Sequence, residues 1–149
     1  MPEIALSQGE ADALFAMEKH RVDETRHQFP TLGGSIEISL ISINKRENFL
    51  LDLTRGRINL KKVTYQNRAR TVVTLARLDI EGPPHENPDG CEIPCPHLHT
   101  YRAGFGDKWA IAAPAAEFPR TSDLWGSLVD FMRFCRITQT PLIERDLFV

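Results

Sequence analysis

The chain has 149 residues, of which 42% are hydrophobic and 26% charged, and its formal net charge is −2. This length and composition predict one globular domain over residues 1–149. No apolar run approaches the roughly 18–20 residues of a membrane span, and the first residues lack the basic and apolar regions of a secretory signal. The three cysteines do not suggest a disulfide framework, so the sequence predicts a cytoplasmic protein with reduced thiols and no membrane partner.

The first predicted element is a helix that runs from Ser7 to about His20. Ser7 can cap the helix, and Glu10 stands three residues later, as a capping box requires. Apolar residues then recur at helical spacing. The next segment, 25–34, contains a proline and a Gly-Gly pair and is therefore predicted to be a connection.

Alternation of apolar and polar residues predicts a series of strands in the middle of the chain. These strands are expected at 36–42, 49–53, 57–61 and 71–80, with a polar link at 65–70. Because the connections between them are short, antiparallel neighbours are favoured over crossover units.

The segment 81–96 contains five prolines, which exclude a helix or a central strand and predict a rigid loop. Further strands are expected at 97–102 and 108–112. Residues 121–123 should open a second helix with an apolar face up to Cys135, and the tail at 141–149 should be extended. The predicted fold is α+β: a single domain with an antiparallel sheet of about five strands and an N-terminal and a C-terminal helix.

Charge is unevenly distributed along the chain. Seven basic residues and no acidic ones lie between Arg55 and Arg77, whereas 79–95 holds five acidic residues and no lysine or arginine. A local basic block can bind phosphates even in a mildly acidic protein. The alternative is that the two segments neutralise each other on a solvated surface.

The segment 82–109 concentrates groups that can transfer protons. It contains three of the five histidines and two of the three cysteines. On a strand, residues i and i+2 point to the same side, so His97, His99 and Tyr101 should share a face. Paired imidazoles can act as acid and base in phosphoester cleavage, and His85 could join them. The alternative is one buried, backbone-bonded histidine and one exposed one.

Guanidinium groups are the predicted phosphate ligands, because they fork onto phosphate oxygens. The candidate substrate-binding arginines are Arg55, Arg57, Arg77 and Arg102. An aromatic ring, Tyr65 or Tyr101, could stack on a base or orient the substrate. Alternatively, Arg55 and Arg57 flank a tight turn, and Tyr65 is a partly buried ring at a sheet edge.

A metal site is the second interpretation of the same segment, since thiolates and imidazoles bind zinc. The possible ligands are Cys91, Cys95, His85, His97 and His99. Their spacing is not that of a familiar zinc finger or ribbon, and the prolines restrict how they converge. A weaker variant combines carboxylates with imidazoles: Asp79, Asp89, His97 and His99. The favoured interpretation requires no metal and no other cofactor.

Four stretches of the sequence carry a resemblance to a known family. They are LLDLTRGRINLKKVTYQNR, LARLDIEGPPHENPDG, PHLHTYRAGFGDKWA and DFMRFCRI. Together they resemble a small bacterial and phage-encoded family of unknown function, over roughly residues 49–137. The resemblance implies a stand-alone single-domain protein and no particular activity. The positions that match the family pattern are Arg55, Arg57, Tyr65, Arg77, Asp79, His85, Asn87, Asp89, His97, His99, Tyr101, Arg102, Asp107 and Trp109; Cys91 and Cys95 are not among them.

These observations lead to one favoured hypothesis and two alternatives. The favoured hypothesis is a phosphoester-directed protein, most concretely a metal-independent endoribonuclease of the toxin kind, whose partner is RNA or another phosphate-bearing ligand. The first alternative is a non-enzymatic phage or mobile-element protein that inhibits a host or defence factor; in either case the chain could bind a protein partner such as an antitoxin or host factor. The second alternative is a zinc-binding module.

Overall fold

A computed structural model describes residues 5–145 and residue 149 of the chain. Within these residues it contains two helices and twelve strands. The helices are α1 (Gln8–Ala16) and α2 (Leu124–Phe134). The strands are β1 (Lys19–Arg21), β2 (Arg26–Gln28), β3 (Ser35–Ser42), β4 (Asn48–Arg55), β5 (Val63–Ala69), β6 (Val73–Ile80), β7 (His85–Glu86), β8 (Glu92–Ile93), β9 (His97–Thr100), β10 (Ala110–Ala112), β11 (Ile137–Gln139) and β12 (Leu142–Glu144).

Eight of these strands form the main sheet, in the order β10-β9-β6-β5-β4-β3-β1-β11. Neighbours pair antiparallel except β1 and β11, which are parallel. Two small sheets, β12-β2 and β7-β8, complete the described fold. The predicted α+β class is confirmed, but the main sheet has eight strands and not about five. The strand expected at 108–112 is β10, whereas β1 and β11 were not predicted. These two strands have only three residues each, too few for alternation to be decisive.

The N-terminal helix has the predicted capping box. The Ser7 side chain accepts a hydrogen bond from the Glu10 backbone, and the Glu10 side chain accepts one from the Ser7 backbone. The helix is shorter than predicted, since it ends at Ala16 and Met17 is already extended. The chain from Lys19 onward therefore enters the sheet as β1 and does not continue the helix to His20.

Two predictions around the basic block are wrong. The expected strand at 57–61 is the turn between β4 and β5, where Ile58 is 91% exposed. The expected polar link at 65–70 is mostly β5, whose residues alternate between buried and half-buried. Gln66 and Arg68 misled the prediction because they lie on the outer face, where both donate to Asp52. Asn67 between them is buried and donates to the Leu50 carbonyl oxygen.

The C-terminal part agrees with the prediction more closely. Asp123 caps α2 by accepting a hydrogen bond from the Gly126 backbone, and Leu128, Phe131 and Cys135 are fully buried. The predicted extended tail is confirmed for β12, which pairs in parallel with β2. Residues 146–148 of that tail lie outside the described residues.

The main core packs on one face of the central strands. Leu51, Leu53 and Leu78 are fully buried in it, and the ring of Tyr65 lies 5.8 Å from that of Phe131 on α2. In the part of the chain described above, no helix is both long and apolar enough to cross a membrane.

Candidate functional site

Strand pairing brings two segments of the chain together on the face of the sheet opposite the core. In the antiparallel pair β6–β9, Asp79 lies opposite His97 and Arg77 lies opposite His99. Between them, Leu78 pairs with Leu98 and faces the core. Because side chains alternate along a strand, all four polar residues lie on the outer face. The two histidines therefore do share a face.

Asp79 is the centre of this arrangement. One carboxylate oxygen, Oδ2, lies 3.0 Å from His97 Nε2 and 3.2 Å from His99 Nε2. The other, Oδ1, accepts a hydrogen bond of 2.9 Å from the Thr64 hydroxyl. Burial raises the pKa of Asp79, but the contact with His99, the charge of Arg77 and the bond from Thr64 together hold that pKa well below its ordinary value. Asp79 is therefore ionised at neutral pH.

The other ring nitrogens fix the tautomers of the two histidines. His97 Nδ1 lies 3.1 Å from the Ile93 carbonyl oxygen, and His99 Nδ1 lies 2.7 Å from the Asp107 carbonyl oxygen. A carbonyl oxygen can only accept, so each Nδ1 carries the hydrogen. The two Nε2 atoms both face the carboxylate of Asp79.

Arg77 supplies positive charge at the same point. Its Nη2 lies 3.0 Å from His99 Nε2, and its Nε lies 3.3 Å from Asp79 Oδ2. A third nitrogen, Nη1, donates to Asp107 Oδ2 at 2.9 Å. Both nitrogens of His99 are thus occupied by protein groups, and the side chain of His99 is 0% exposed.

His85 is the accessible imidazole of the group. It lies on β7, with its ring centroid 4.5 Å from that of His99 and 5.8 Å from that of His97. Its Nε2 donates to the Lys108 carbonyl oxygen at 2.7 Å, which orients the ring. Among the described residues, Nδ1 of His85 has no hydrogen-bond partner, and the residue is partly exposed. The structure therefore brings all three predicted histidines together.

A hollow of about 290 Å³ opens beside these side chains. Two basic and two acidic groups line it, together with a hydroxyl, two imidazoles and a thiol: Lys62, Arg77, Asp79, Glu81, Thr64, His85, His97 and Cys95. We call this space the histidine hollow. A larger groove of about 780 Å³ lies between α2 and the C-terminal strands, and none of the predicted site residues lines it.

Several residues predicted to bind substrate have other positions. Arg55 is 7% exposed and donates to the carbonyl oxygens of Pro30 and Leu60. Tyr65 is 0% exposed, and its hydroxyl donates to the Leu124 carbonyl oxygen at 2.6 Å. Arg55 therefore fixes a turn, and Tyr65 belongs to the core, where its ring cannot stack on a nucleotide.

The remaining candidates lie outside the hollow. The Tyr101 hydroxyl donates to the Leu6 carbonyl oxygen at 2.7 Å, and its ring packs against the core, because the chain leaves β9 after Thr100. Arg102 stacks its guanidinium on Trp109 at 4.3 Å. Arg57 is exposed on the turn between β4 and β5. Of the five predicted substrate-binding residues, only Arg77 lines the hollow.

The cysteines do not form the predicted zinc cluster in the residues described. Cys91 is exposed, and Cys95 lies at the rim with Sγ 3.5 Å from His97 Nδ1. Burial, together with nearby acidic groups, raises the pKa of Cys95, which disfavours a thiolate. The donor atoms that converge, within 4.8 Å of one another, belong to Asp79, His97 and His99. We call these three residues the His–Asp cluster.

Sequence reasoning gave too little weight to several groups at this site. Asp79 matched the family pattern but was considered as a ligand only in the weaker metal variant, although its spacing from Arg77 on a predicted strand was a usable indication. Lys62 and Thr64 lie between the segments 57–61 and 65–70, whose structure was predicted wrongly. Their contribution depends on the pairing of β5 with β6, in which Thr64 lies opposite Asp79, and such pairing is not evident from one sequence.

A model of a known protein family matches residues 6–137. The chain belongs to the DUF6978 family. This is a family of unknown function, so membership in DUF6978 assigns no reaction, and the matched region includes the whole histidine hollow. No curated protein and no solved structure gives a significant match to this DUF6978 chain.

Proposed function

We propose that this protein binds and cleaves phosphoesters in the histidine hollow. One observation carries the proposal: two basic side chains and an accessible, oriented imidazole line a hollow of about 290 Å³. Lys62 and Arg77 supply the positive charge, and His85 supplies the imidazole. Basic groups that hold phosphate next to a proton-transferring group are the minimum that such chemistry needs.

Phosphate binding rests on Arg77 and Lys62. Arg77 is held by Asp107 through a 2.9 Å hydrogen bond, so its guanidinium does not need to be ordered when substrate arrives. Lys62 is exposed at the hollow, at the end of the turn that also carries Arg57 and Lys61. This turn extends the basic surface beyond the hollow, and it favours single-stranded RNA as the substrate, because neighbouring phosphates can bind along it.

Proton transfer is best assigned to His85. Its Nε2 hydrogen is committed to the Lys108 carbonyl oxygen, so the neutral ring presents a lone pair at Nδ1 for an attacking hydroxyl. His97 and His99 are less suited to be the acid and base, because they are 3% and 0% exposed. His97 and Asp79 line the hollow, and His99 is buried beside Asp79.

The test measures cleavage of end-labelled single-stranded RNA and of bis(p-nitrophenyl) phosphate by the purified chain. We predict that His85→Ala lowers the rate by at least about 100-fold, the usual contribution of a general acid or base. The matched control is His27→Ala, which removes a partly exposed histidine on β2 and should leave the rate unchanged. The proposal is wrong if the wild type leaves both substrates intact with and without divalent cations, or if the two variants behave alike.

A lysine pair tests the phosphate contact separately. Lys62→Gln should raise KM by about tenfold, which corresponds to the loss of one charge-assisted hydrogen bond. Lys61→Gln removes the same charge from the adjacent exposed position, which does not line the hollow, and should change KM far less. Equal effects would show that general surface charge, not the hollow, binds the substrate.

A further inference from the structure

We infer that the His–Asp cluster binds one divalent transition-metal ion of the zinc class at the floor of the histidine hollow. The inference deepens the proposed function, and the catalytic role given to the metal rests on that function. The binding site itself rests on the geometry of Asp79, His97 and His99.

The donor set and its spacing suit such an ion. Two imidazoles and a carboxylate are the protein ligands of many catalytic zinc sites, which leave a fourth position to water or substrate. Two ligands bonded to zinc at the usual lengths and a tetrahedral angle lie about 3.3 Å apart. The observed separations of Asp79 Oδ2 from His97 Nε2 and His99 Nε2 are 3.0 and 3.2 Å.

The hydrogen bonds that His97 and His99 make through Nδ1 are of the kind that metal-binding histidines make. A histidine that binds a metal through one nitrogen nearly always donates its other N–H to a carboxylate, a backbone carbonyl or water. His97 and His99 both donate Nδ1–H to backbone carbonyl oxygens. Thr64 likewise donates to the Asp79 oxygen that does not face the imidazoles. Each of the three ligands is thus oriented by a second group.

The inward-facing atoms need a positive charge between them. Two Nε2 lone pairs and an ionised oxygen repel one another unless a proton or a cation lies among them. Arg77 satisfies His99 and Asp79, but among the described residues His97 Nε2 contacts only the oxygen of Asp79. A metal ion at this point would satisfy all three inward-facing atoms together.

Arg77 can make room for the ion without leaving the site. Its Nη1 is bound to Asp107, so the guanidinium can release His99 and Asp79 while it keeps this anchor. The metal would then be reached from the hollow, where it would polarise a water or a phosphoryl oxygen. His85 stays outside the ligand set and remains available for proton transfer. This chemistry differs from the metal-independent mechanism predicted from the sequence.

The test uses chelator-treated full-length protein titrated with Co²⁺, whose visible absorption reports ligation, and with Zn²⁺ by calorimetry. The wild type should bind one ion per chain. Changes to outer-shell groups alone cost 10–100-fold in affinity, so loss of a ligand in Asp79→Asn or His97→Gln should cost at least about 100-fold. His27→Gln is the matched histidine control, and Cys95→Ser excludes a thiolate ligand; both should bind as the wild type does.

A gain of affinity guards against variants that merely misfold. Arg77→Met removes the competing cation and should tighten Co²⁺ binding by about tenfold. The inference is overturned if neither the wild type nor Arg77→Met binds Co²⁺ stoichiometrically. It is also overturned if Asp79→Asn keeps the wild-type affinity while Cys95→Ser loses it. If the wild type binds no Co²⁺ and the metal-free protein still cleaves, the metal site is refuted and the proposed function stands. If the protein binds Co²⁺ but cleaves equally well without it, the catalytic role of the metal is refuted. Metal binding without any cleavage would support the site and refute that function.

Discussion

At the scale of single residues, the fold places several charged groups in its interior and gives each of them partners. Lys19 is 0% exposed, and its ammonium donates to the carbonyl oxygens of Phe15, Met17 and Cys135 at 2.7–2.9 Å. These carbonyls lie at or just beyond the ends of α1 and α2, where no intrahelical donor remains. A buried lysine thus ties the two helix ends to β1. A lysine between a glutamate and a histidine in sequence gave no indication of this role.

Asp130 on α2 is the corresponding buried carboxylate and leads to a prediction about pH. It is 0% exposed and accepts from the side chains of Arg120 at 2.6 Å and Arg133 at 3.0 Å. Burial raises the pKa of Asp130, but the bonds from the two arginines outweigh it, so the pKa lies below the ordinary value. Because the pKa of Asp130 is lower in the folded protein than in the unfolded chain, its charge stabilises the fold fully at pH values above the unfolded pKa, which is near 4. This stabilisation is lost as the pH falls from the unfolded pKa through the folded pKa.

We therefore predict that Asp130→Asn lowers the free energy of unfolding by about 1–3 kcal/mol at pH 7, allowing for the exposure of both arginines. This difference from the wild type should stay constant between pH 7 and pH 5 and shrink below pH 4. Urea unfolding of both proteins across this range measures it. A difference that grew on acidification would mean that the ion pairs do not set the charge state of Asp130.

At the scale of elements, short sequence patterns predicted the helices and strands that depend on interactions between residues close in the chain. The capping box of α1, the long alternating strands β3 and β6 and the apolar face of α2 could all be identified from short stretches of sequence. β1 and β11 could not be identified in this way, because these three-residue strands exist through their pairing with each other and, for β1, with β3. β5 was missed because Arg68 and Gln66 look like a polar link until Asp52 on β4 is known to lie beside them.

The turn between β4 and β5 provides a test of this revised assignment. Ile58 is 91% exposed, whereas Ile38 on β3 is 2% exposed. We predict that Ile58→Ala changes the free energy of unfolding by less than about 0.5 kcal/mol, while the matched change Ile38→Ala costs about 2–5 kcal/mol. Denaturant unfolding of the two variants measures both values. If Ile58→Ala lost more than about 1 kcal/mol of unfolding free energy, the result would support the half-buried strand predicted from alternation.

At the scale of the whole molecule, the candidate site is a product of tertiary pairing. Its imidazoles could be predicted, since HxH on a strand places both side chains on one face. Arg77, predicted to bind substrate, also lines the hollow. It could not show that Asp79 lies opposite His97, that Thr64 lies opposite Asp79, or that Tyr65 is buried by α2. These facts depend on which strands are neighbours, and the basic block is divided accordingly between the core, the turn and the hollow.

Because the His–Asp cluster joins β6 to β9 and lies beside β7, a ligand that binds it should stabilise the fold as a whole. An ion present at 100 times its Kd adds about 2.7 kcal/mol to the free energy of unfolding, provided that it binds only the folded state. For a chain of this length we predict that Zn²⁺ raises Tm by roughly 5–10 °C. Removal of the metal by a chelator should reverse the shift.

Asp79→Asn provides the control for this thermal shift, because it keeps the size of the side chain and removes the negative ligand. Scanning calorimetry of both proteins with and without Zn²⁺ should show the shift in the wild type only. If Asp79→Asn were stabilised equally, the ion would be binding elsewhere, for example at the exposed Cys91. If Zn²⁺ left Tm of the wild type unchanged, a proton and Arg77 would be sufficient to satisfy the cluster. The hollow would then have to act through His85, Lys62 and Arg77 alone.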